Sequence, residues 1–154
     1  MTIILQLSDT HIVPKSALVS GRLDTADALA RLVARISSIR DQIGPIDALL
    51  VSGDLSDDGS SESYARFKTL IAPLDLPTYV ITGNHDAREE MRAAFANDLP
   101  VSGPLNWTYK IGGIHLIVVE NHFDLHLGQK IDDIFSTPVK FGVPFLSPKS
   151  LGFQ

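Results

Sequence analysis

The chain has 154 residues, of which 44% are hydrophobic and 20% charged, a composition typical of one folded globular domain. It contains no cysteine, which excludes disulfides, thiolate metal sites and cysteine nucleophiles and leads us to expect a cytoplasmic protein. Its net charge of −5 and the lack of an apolar run of about 20 residues lead us to expect neither a nucleic-acid partner nor a membrane.

Strand and helix patterns alternate along the first part of the chain. Residues 2–7 form a short apolar run rich in β-branched side chains, which predicts a buried strand. From residue 24 to residue 43 the apolar positions recur every three or four residues, which predicts an amphipathic helix with Asp24 as its N-cap. A strand over residues 47–51 and a helix around residues 64–74 repeat the pattern.

The pattern occurs a third time and then changes. Residues 78–82 predict a strand, and Asp86 with Glu89 predicts a capping box at the start of another helix. Because parallel strands need long crossovers, which helices supply, this alternation predicts an α/β fold with helices on both faces of the sheet. Residues 107–111 and 114–119 flank a Gly-Gly pair and predict an antiparallel hairpin, so we expect a mixed sheet.

The last part of the chain has a different character. Residues 120–154 contain three prolines and show neither the period of a strand nor that of a helix. We therefore expect an organised part over residues 1–119 and an irregular tail over residues 120–154.

Polar residues follow each of the first three predicted strands. The three clusters are Asp9-Thr10-His11, Gly53-Asp54 and Gly83-Asn84-His85-Asp86. In open α/β sheets ligands bind beyond the carboxyl ends of the strands, so we expect these clusters to meet at one edge. Asp9 and His11 are two residues apart, and in an extended backbone their side chains project from the same face and can bind one cation.

Together and in this order, the three clusters resemble the calcineurin-like metallophosphoesterase family, most closely its cyclic-nucleotide and glycerophosphodiester phosphodiesterase branch. The resemblance implies part of a β-sandwich flanked by helices and a hydrolase that binds two divalent metal ions, which can be Mn, Fe, Zn or Co. It implies that Asp9, His11 and Asp54 bind the first ion, that Asp54 bridges to the second and that Asn84 binds the second. It also implies that His85 is catalytic and faces the phosphate of a small-molecule ester.

The implied site has a consistent electrostatic logic. Two divalent ions bring four positive charges, and ionised Asp9 and Asp54 neutralise two of them, because His11 and Asn84 bind as neutral ligands. The remaining charge polarises the phosphoryl oxygens and lowers the pKa of a bridging water, which becomes the nucleophile. His85 then stabilises charge on the phosphate or protonates the leaving group, and Asp86 is expected to cap the following helix.

Two features of the family pattern are missing. The family continues with a further histidine and a late Gly-His-x-His motif, and this sequence contains no such motif. We expect His115 to be an ordinary strand residue and do not assign His122 or His126 as metal ligands. We therefore expect a weak second metal site and a shortened copy of a longer enzyme, whose exposed sheet edge permits self-association.

Two other classes of function stay open at this stage. One is a non-catalytic fragment that binds a metal ion or a nucleotide, and the other is an interaction module that completes its sheet with a partner chain. The sequence carries no P-loop, no dinucleotide-binding glycine motif and no serine-hydrolase motif. Metal-dependent hydrolysis separates the enzyme from the non-catalytic fragment. A mass that rises with protein concentration, without metal uptake, indicates the interaction module.

Overall fold

The computed structural model describes residues 1–120 of the chain. In chain order the elements are β1 (Ile4–Leu7), α1 (Thr25–Ile43), β2 (Ala48–Ser52), α2 (Ser61–Ile71), a 3-10 turn (Ala72–Leu74), β3 (Thr78–Ile81), α3 (Arg88–Ala94), β4 (Trp107–Ile111) and β5 (Ile114–Val118). The predicted α/β class and the alternation of strands and helices are confirmed. The irregular tail stays a prediction, because apart from Glu120 it lies outside the described residues.

The ends of α1 show how local chemistry sets an element's bounds. The Asp24 side chain accepts a hydrogen bond from the Asp27 backbone amide at 2.9 Å, which satisfies one of the free N–H groups of the first turn. At the other end Gly44 has a φ of 94°, and its backbone N–H donates to the carbonyl of Arg40. A left-handed residue of this kind favours glycine, so the helix ends where the sequence predicts.

The start of α3 corrects a prediction. The N-cap of this helix is Ala87, which has no side chain able to cap, and Asp86 does not cap the helix. Asp86 is buried, and its carboxylate accepts hydrogen bonds from loop residues and from Tyr64 of α2 instead. The capping box with Glu89 was therefore a wrong prediction, because donors elsewhere in the fold compete for the same carboxylate.

β1, β2 and β3 form a parallel sheet in the order β1-β2-β3. Side chains alternate between its two faces, so Leu49 and Val51 of β2 pack into the main core, whereas Ala48 and Leu50 point to the other side. All three helices contribute to the main core and thus lie on one face of the sheet. The prediction of helices on both faces was wrong. Right-handed crossovers place helices on both faces only if the strand order changes direction within the sheet, and the order β1-β2-β3 does not.

The opposite face of the sheet is covered by the hairpin of β4 and β5. These strands pair antiparallel as a separate two-stranded sheet. Ile111 packs with Ala48 and Tyr79, and the indole N–H of Trp107 donates to the carbonyl of Val80 at 3.0 Å. Parallel and antiparallel pairing are therefore both present, in two stacked layers. Within residues 1–120 no helix combines the length and hydropathy needed to cross a bilayer.

The Asp24 cap provides a test of the fold. Asp24→Ala is expected to lower the free energy of unfolding by about 1 kcal/mol, because it leaves an amide of the first turn unpaired. Asp41→Ala removes the same charge from an exposed position on the same helix and is expected to stay within about 0.5 kcal/mol of the parent. Urea denaturation followed by circular dichroism measures both, and equal losses would contradict the capping role.

Candidate metal centre

The loops that follow β1, β2 and β3 meet at the carboxyl edge of the parallel sheet. The loop after β1 runs along the loop after β2, with the Asp9 amide donating to the Gly53 carbonyl at 3.1 Å and the His11 amide to the Asp54 carbonyl at 2.9 Å. The loop after β3 joins them, because the His85 amide donates to Asp54 Oδ1 at 2.9 Å. Residues that are more than 70 positions apart in the sequence, such as Asp9 and His85, are thus held at one edge.

Asp9, His11 and Asp54 form a compact group of possible ligands. One ligand atom from each lies within 4.8 Å of the others. His11 Nε2 is 3.9 Å from Asp9 Oδ1 and 3.9 Å from Asp54 Oδ2. These separations are too long for hydrogen bonds, but two metal–ligand bonds of about 2.0–2.2 Å each can span them. The three atoms are therefore placed to bind a shared cation rather than to form hydrogen bonds with one another.

The same three residues have unusual backbone conformations. Asp9, His11 and Asp54 have φ angles of 55°, 41° and 51°, in the left-handed region that non-glycine residues rarely adopt. Such conformations cost about 1–3 kcal/mol each and persist only where the surroundings hold them, as the backbone bonds between the two loops do here. Ser16, Ser20 and Asp75 also have positive φ angles, so three of the six such non-glycine residues in the described part of the chain lie at the site.

Asp57 is a site residue that the sequence analysis missed. Its Oδ1 lies 3.1 Å from His11 Nδ1 and 3.5 Å from His85 Nδ1, so these residues form a second group of possible ligands. A carboxylate on Nδ1 fixes the orientation of the His11 ring and leaves Nε2 facing Asp9 and Asp54, the arrangement common around metal-binding histidines. The available signal was the position of Asp57 three residues after Asp54, in the loop that carries a predicted metal ligand.

His85 lies beside this group with its side chain partly exposed. Its ring is edge-on to that of His11, with centroids 4.8 Å apart. The hydrogen bond between Nδ1 and the Asp57 carbonyl, 3.0 Å long, raises the pKa of His85, and the charges of Asp54 and Asp57 add to the effect. The imidazole therefore holds a proton more readily than a free histidine does, which suits a group that faces phosphate oxygens.

Serine and aspartate side chains fix the rest of the loop after β2. Asp58 Oδ1 accepts hydrogen bonds from the Ser63 hydroxyl at 2.8 Å and the Ser60 amide at 3.0 Å. Partial burial raises the pKa of Asp58, but these bonds and one from Ser56 outweigh it and hold the pKa below its usual value. The loop that carries Asp54 and Asp57 is therefore anchored to the start of α2.

Asn84 occupies an exposed position in the loop after β3. Its two neighbours both touch Asp54: Gly83 packs against it and the His85 amide bonds to it. The second-metal role of Asn84 stays a prediction. His115 is exposed on β5, as an ordinary strand residue is, whereas His122 and His126 lie outside the described residues.

Comparison with known proteins decides the family. The family model described as calcineurin-like phosphoesterase matches residues 2–147, almost the whole chain and further than the motifs reach. The chain belongs to the calcineurin-like phosphoesterase family.

Relatives and a solved structure agree with this membership. The chain is 41% identical over 98 residues to the 3',5'-cyclic adenosine monophosphate phosphodiesterase CpdA of Pseudomonas aeruginosa, covering 63% of this chain and 35% of that protein. It is 37% identical over 93 residues to a probable glycerophosphodiester phosphodiesterase GpdQ of Arcobacter nitrofigilis, covering 60% of this chain and 33% of that protein. The chain thus spans about a third of the length of these relatives.

The fold also resembles that of the purple acid phosphatase PPD1 from yellow lupin seeds. The TM-score is 0.53 at 13% identity, and the match covers 86% of this chain and 26% of the phosphatase. At this level of identity the likeness concerns the fold alone. It agrees with the helices and β-layers described above.

The donor set fits the divalent ions that calcineurin-like phosphoesterases bind. The candidate ligand atoms are carboxylate oxygens and imidazole nitrogens, which suit divalent ions such as Mn, Fe, Zn or Co. Asp57 supplies the carboxylate that a metal-binding His11 needs on its other nitrogen. The residues present are therefore chemically suited to such an ion.

The contact between Gly83 and Asp54 provides a test of the site. A Cβ at residue 83 would collide with the backbone N and Oδ1 of Asp54, so Gly83→Ala must push the two loops apart. We expect it to lower the free energy of unfolding by about 1–3 kcal/mol. It should also weaken Mn²⁺ binding, measured by calorimetric titration.

Gly113→Ala is the matched control. A Cβ at residue 113 meets no atom within 4 Å, so neither the stability nor the Mn²⁺ affinity should change measurably. If Gly83→Ala behaves like this control, the close packing of the two loops has no bearing on the site.

Proposed function

We propose that this chain hydrolyses a small-molecule phosphodiester with the help of divalent metal ions. The observation that carries the proposal is the convergence of Asp9 and His11 from the loop after β1 with Asp54 from the loop after β2, in a member of the calcineurin-like phosphoesterase family. A cyclic nucleotide or a glycerophosphodiester is the substrate class we favour, because the relatives bear the names of phosphodiesterases for these esters.

We propose the following ligands for two divalent ions. Asp9, His11 and Asp54 hold the first ion, Asp54 also reaches the second, and Asn84 belongs to the second. The second position has fewer protein ligands than the first, so its affinity is lower. When bound, the ions supply positive charge that polarises the phosphoryl oxygens and activates water.

The charge of the site supports a role for cations in substrate binding. The carboxylates of Asp9, Asp54 and Asp57 surround His11, so without a cation this edge of the sheet repels a phosphate. Asp57 holds the His11 ring, and His85 faces outward beside it, where its N–H can bind a phosphate oxygen or pass a proton to the leaving alkoxide.

A non-catalytic binding protein is the second candidate. Asp9, His11 and Asp54 lie close together, but the sequence has no Gly-His-x-His motif, which in the family pattern helps to complete both metal shells. Such a chain would bind one ion without turnover. The two candidates therefore differ in catalysis and agree in metal uptake.

Hydrolysis of bis(p-nitrophenyl) phosphate in the presence of Mn²⁺ tests the proposal. Asp54→Asn keeps the left-handed backbone, which asparagine tolerates, but removes the shared charge, and we expect the rate to fall about 100-fold. Asp41→Asn, an exposed change on α1, is the control and should keep the parent's rate.

Two outcomes contradict parts of the proposal. Equal rates for the parent and Asp54→Asn would exclude catalysis at this site. Metal uptake by the parent without Mn²⁺-dependent turnover would favour the non-catalytic candidate.

We also propose that the chain self-associates through β5. Within residues 1–120 this strand pairs with β4 alone, so one of its edges is unpaired. Ile117 on β5 and Val119 just after it are 58% and 57% exposed. Unpaired edges with apolar side chains favour strand addition by another chain.

The cytoplasmic location expected from the sequence stays a prediction.

Sedimentation equilibrium tests the association. The parent should show a mass that rises with concentration, and Ile117→Lys should reduce this rise because a charge on the edge opposes pairing. Leu32→Lys, on an exposed position of α1, is the control and should associate like the parent. A parent that stays monomeric at all concentrations would refute the proposal.

A further inference from the structure

The buried carboxylate of Asp86 joins the loop after β2 to the loop after β3. Its Oδ2 accepts the backbone amides of Gly83 at 2.9 Å and Leu55 at 3.2 Å, and its Oδ1 accepts the Ser56 amide at 3.1 Å. The side chain is almost fully buried, so these donors replace water around the charge. The loop carrying Asp54 and the loop carrying Asn84 thus donate to the same carboxylate, that of Asp86.

Tyr64 of α2 completes this arrangement. Its hydroxyl donates to Asp86 Oδ1 at 3.0 Å and accepts the Ala87 amide at 2.9 Å. Burial and the negative charge of Asp86 raise the pKa of Tyr64, so the hydroxyl stays protonated and remains a donor. Through this hydroxyl, α2 is hydrogen-bonded both to the Asp86 carboxylate and to the backbone of Ala87.

The chemistry of these contacts requires a carboxylate rather than an amide. Each oxygen of Asp86 accepts two donors, and three of the four donors are backbone N–H groups that cannot reverse their role. In either orientation an asparagine at this position would turn its NH₂ group toward at least one backbone N–H. That amide would lose its acceptor in a buried place.

The joined loops carry the proposed shared ligand and the second-metal ligand. Asp54 precedes Leu55 directly, and Asn84 follows Gly83 directly, so two of the amides bound by Asp86 belong to neighbours of these residues. A shift in the Asp86 contacts therefore changes the separation of Asp54 and Asn84. Asp9 and His11 stay with Asp54, because their amides donate to the carbonyls of Gly53 and Asp54 in the loop after β2.

We propose that Asp86 and Tyr64 are a pair of positioning residues that set the spacing of the Asp54 and Asn84 loops and thereby the affinity for the second metal ion. The pair does so without contacting the ion. This inference rests on the proposed function, since it concerns the second of the two proposed metal positions.

Tyr64→Phe tests the pair while keeping the buried ring. Mn²⁺ is titrated into metal-free protein and the unbound ion is counted by electron paramagnetic resonance. In the parent we expect two classes of bound ion and, at low temperature, the spin-coupled signal of two ions that share a ligand. In Tyr64→Phe the weaker class should lose affinity about 10-fold or more and the coupled signal should disappear, while the tighter class changes little.

Tyr79→Phe is the matched control. Tyr79 is also buried and its ring packs against that of Tyr109, but it lies on the opposite face of the sheet, under the hairpin. The control therefore removes a tyrosine hydroxyl from a buried residue that makes no contact with the metal loops. It should keep both classes of bound Mn²⁺ and the coupled signal, even where its thermal midpoint falls as far as that of Tyr64→Phe.

The outcomes separate this inference from the proposed function. Unchanged Mn²⁺ binding in Tyr64→Phe, or an equal loss in Tyr79→Phe, overturns the positioning role alone. A parent that binds no second ion refutes the two-ion site, and the positioning role with it. Asp86→Asn is the second variant: if it folds and binds both ions like the parent, the positioning role is equally overturned.

Discussion

Three backbone N–H groups from two separate loops, those of Leu55, Ser56 and Gly83, donate to one buried carboxylate, that of Asp86. A charge removed from water is costly unless several donors surround it, so neither loop can move away from Asp86 without leaving the charge uncompensated. The spacing between the candidate ligands after β2 and those after β3 depends on this constraint. The parallel sheet brings the loops to the same edge, and the carboxylate holds them at a defined distance.

The site itself works against the stability of the metal-free chain. Asp9, His11 and Asp54 have left-handed backbones, and three carboxylates crowd one histidine. Both features raise the free energy of the folded state, and a bound cation offsets the second of them by neutralising charge. Because a ligand that binds only the folded state stabilises it by mass action, the cations of the proposed site contribute to stability as well as to chemistry.

The sequence predicted the elements and the meeting of the three loops well, and the side-chain contacts between the loops poorly. The bounds of α1 follow from the period of its apolar residues and from Asp24, all of which act within one helix. Asp86 looks like a helix cap for the same local reason, since an aspartate next to a helix start is typical of one. Two of its four donors lie about 30 residues away in the loop after β2 and a third is Tyr64 of α2, and no local pattern encodes them. Asp57 was missed for the same reason, because its contacts with His11 and His85 join separate loops.

The two proposed metal positions differ in how much of the described fold they need. The first draws its ligands from the loops after β1 and β2, which are bonded to each other through backbone groups and so tolerate side-chain changes elsewhere. The second depends on the loop after β3, whose place is set by side chains, Asp86 and Tyr64 above all. Backbone ladders resist substitution, whereas a side-chain contact is lost with one mutation. The second proposed position is therefore the one whose geometry a single substitution changes most.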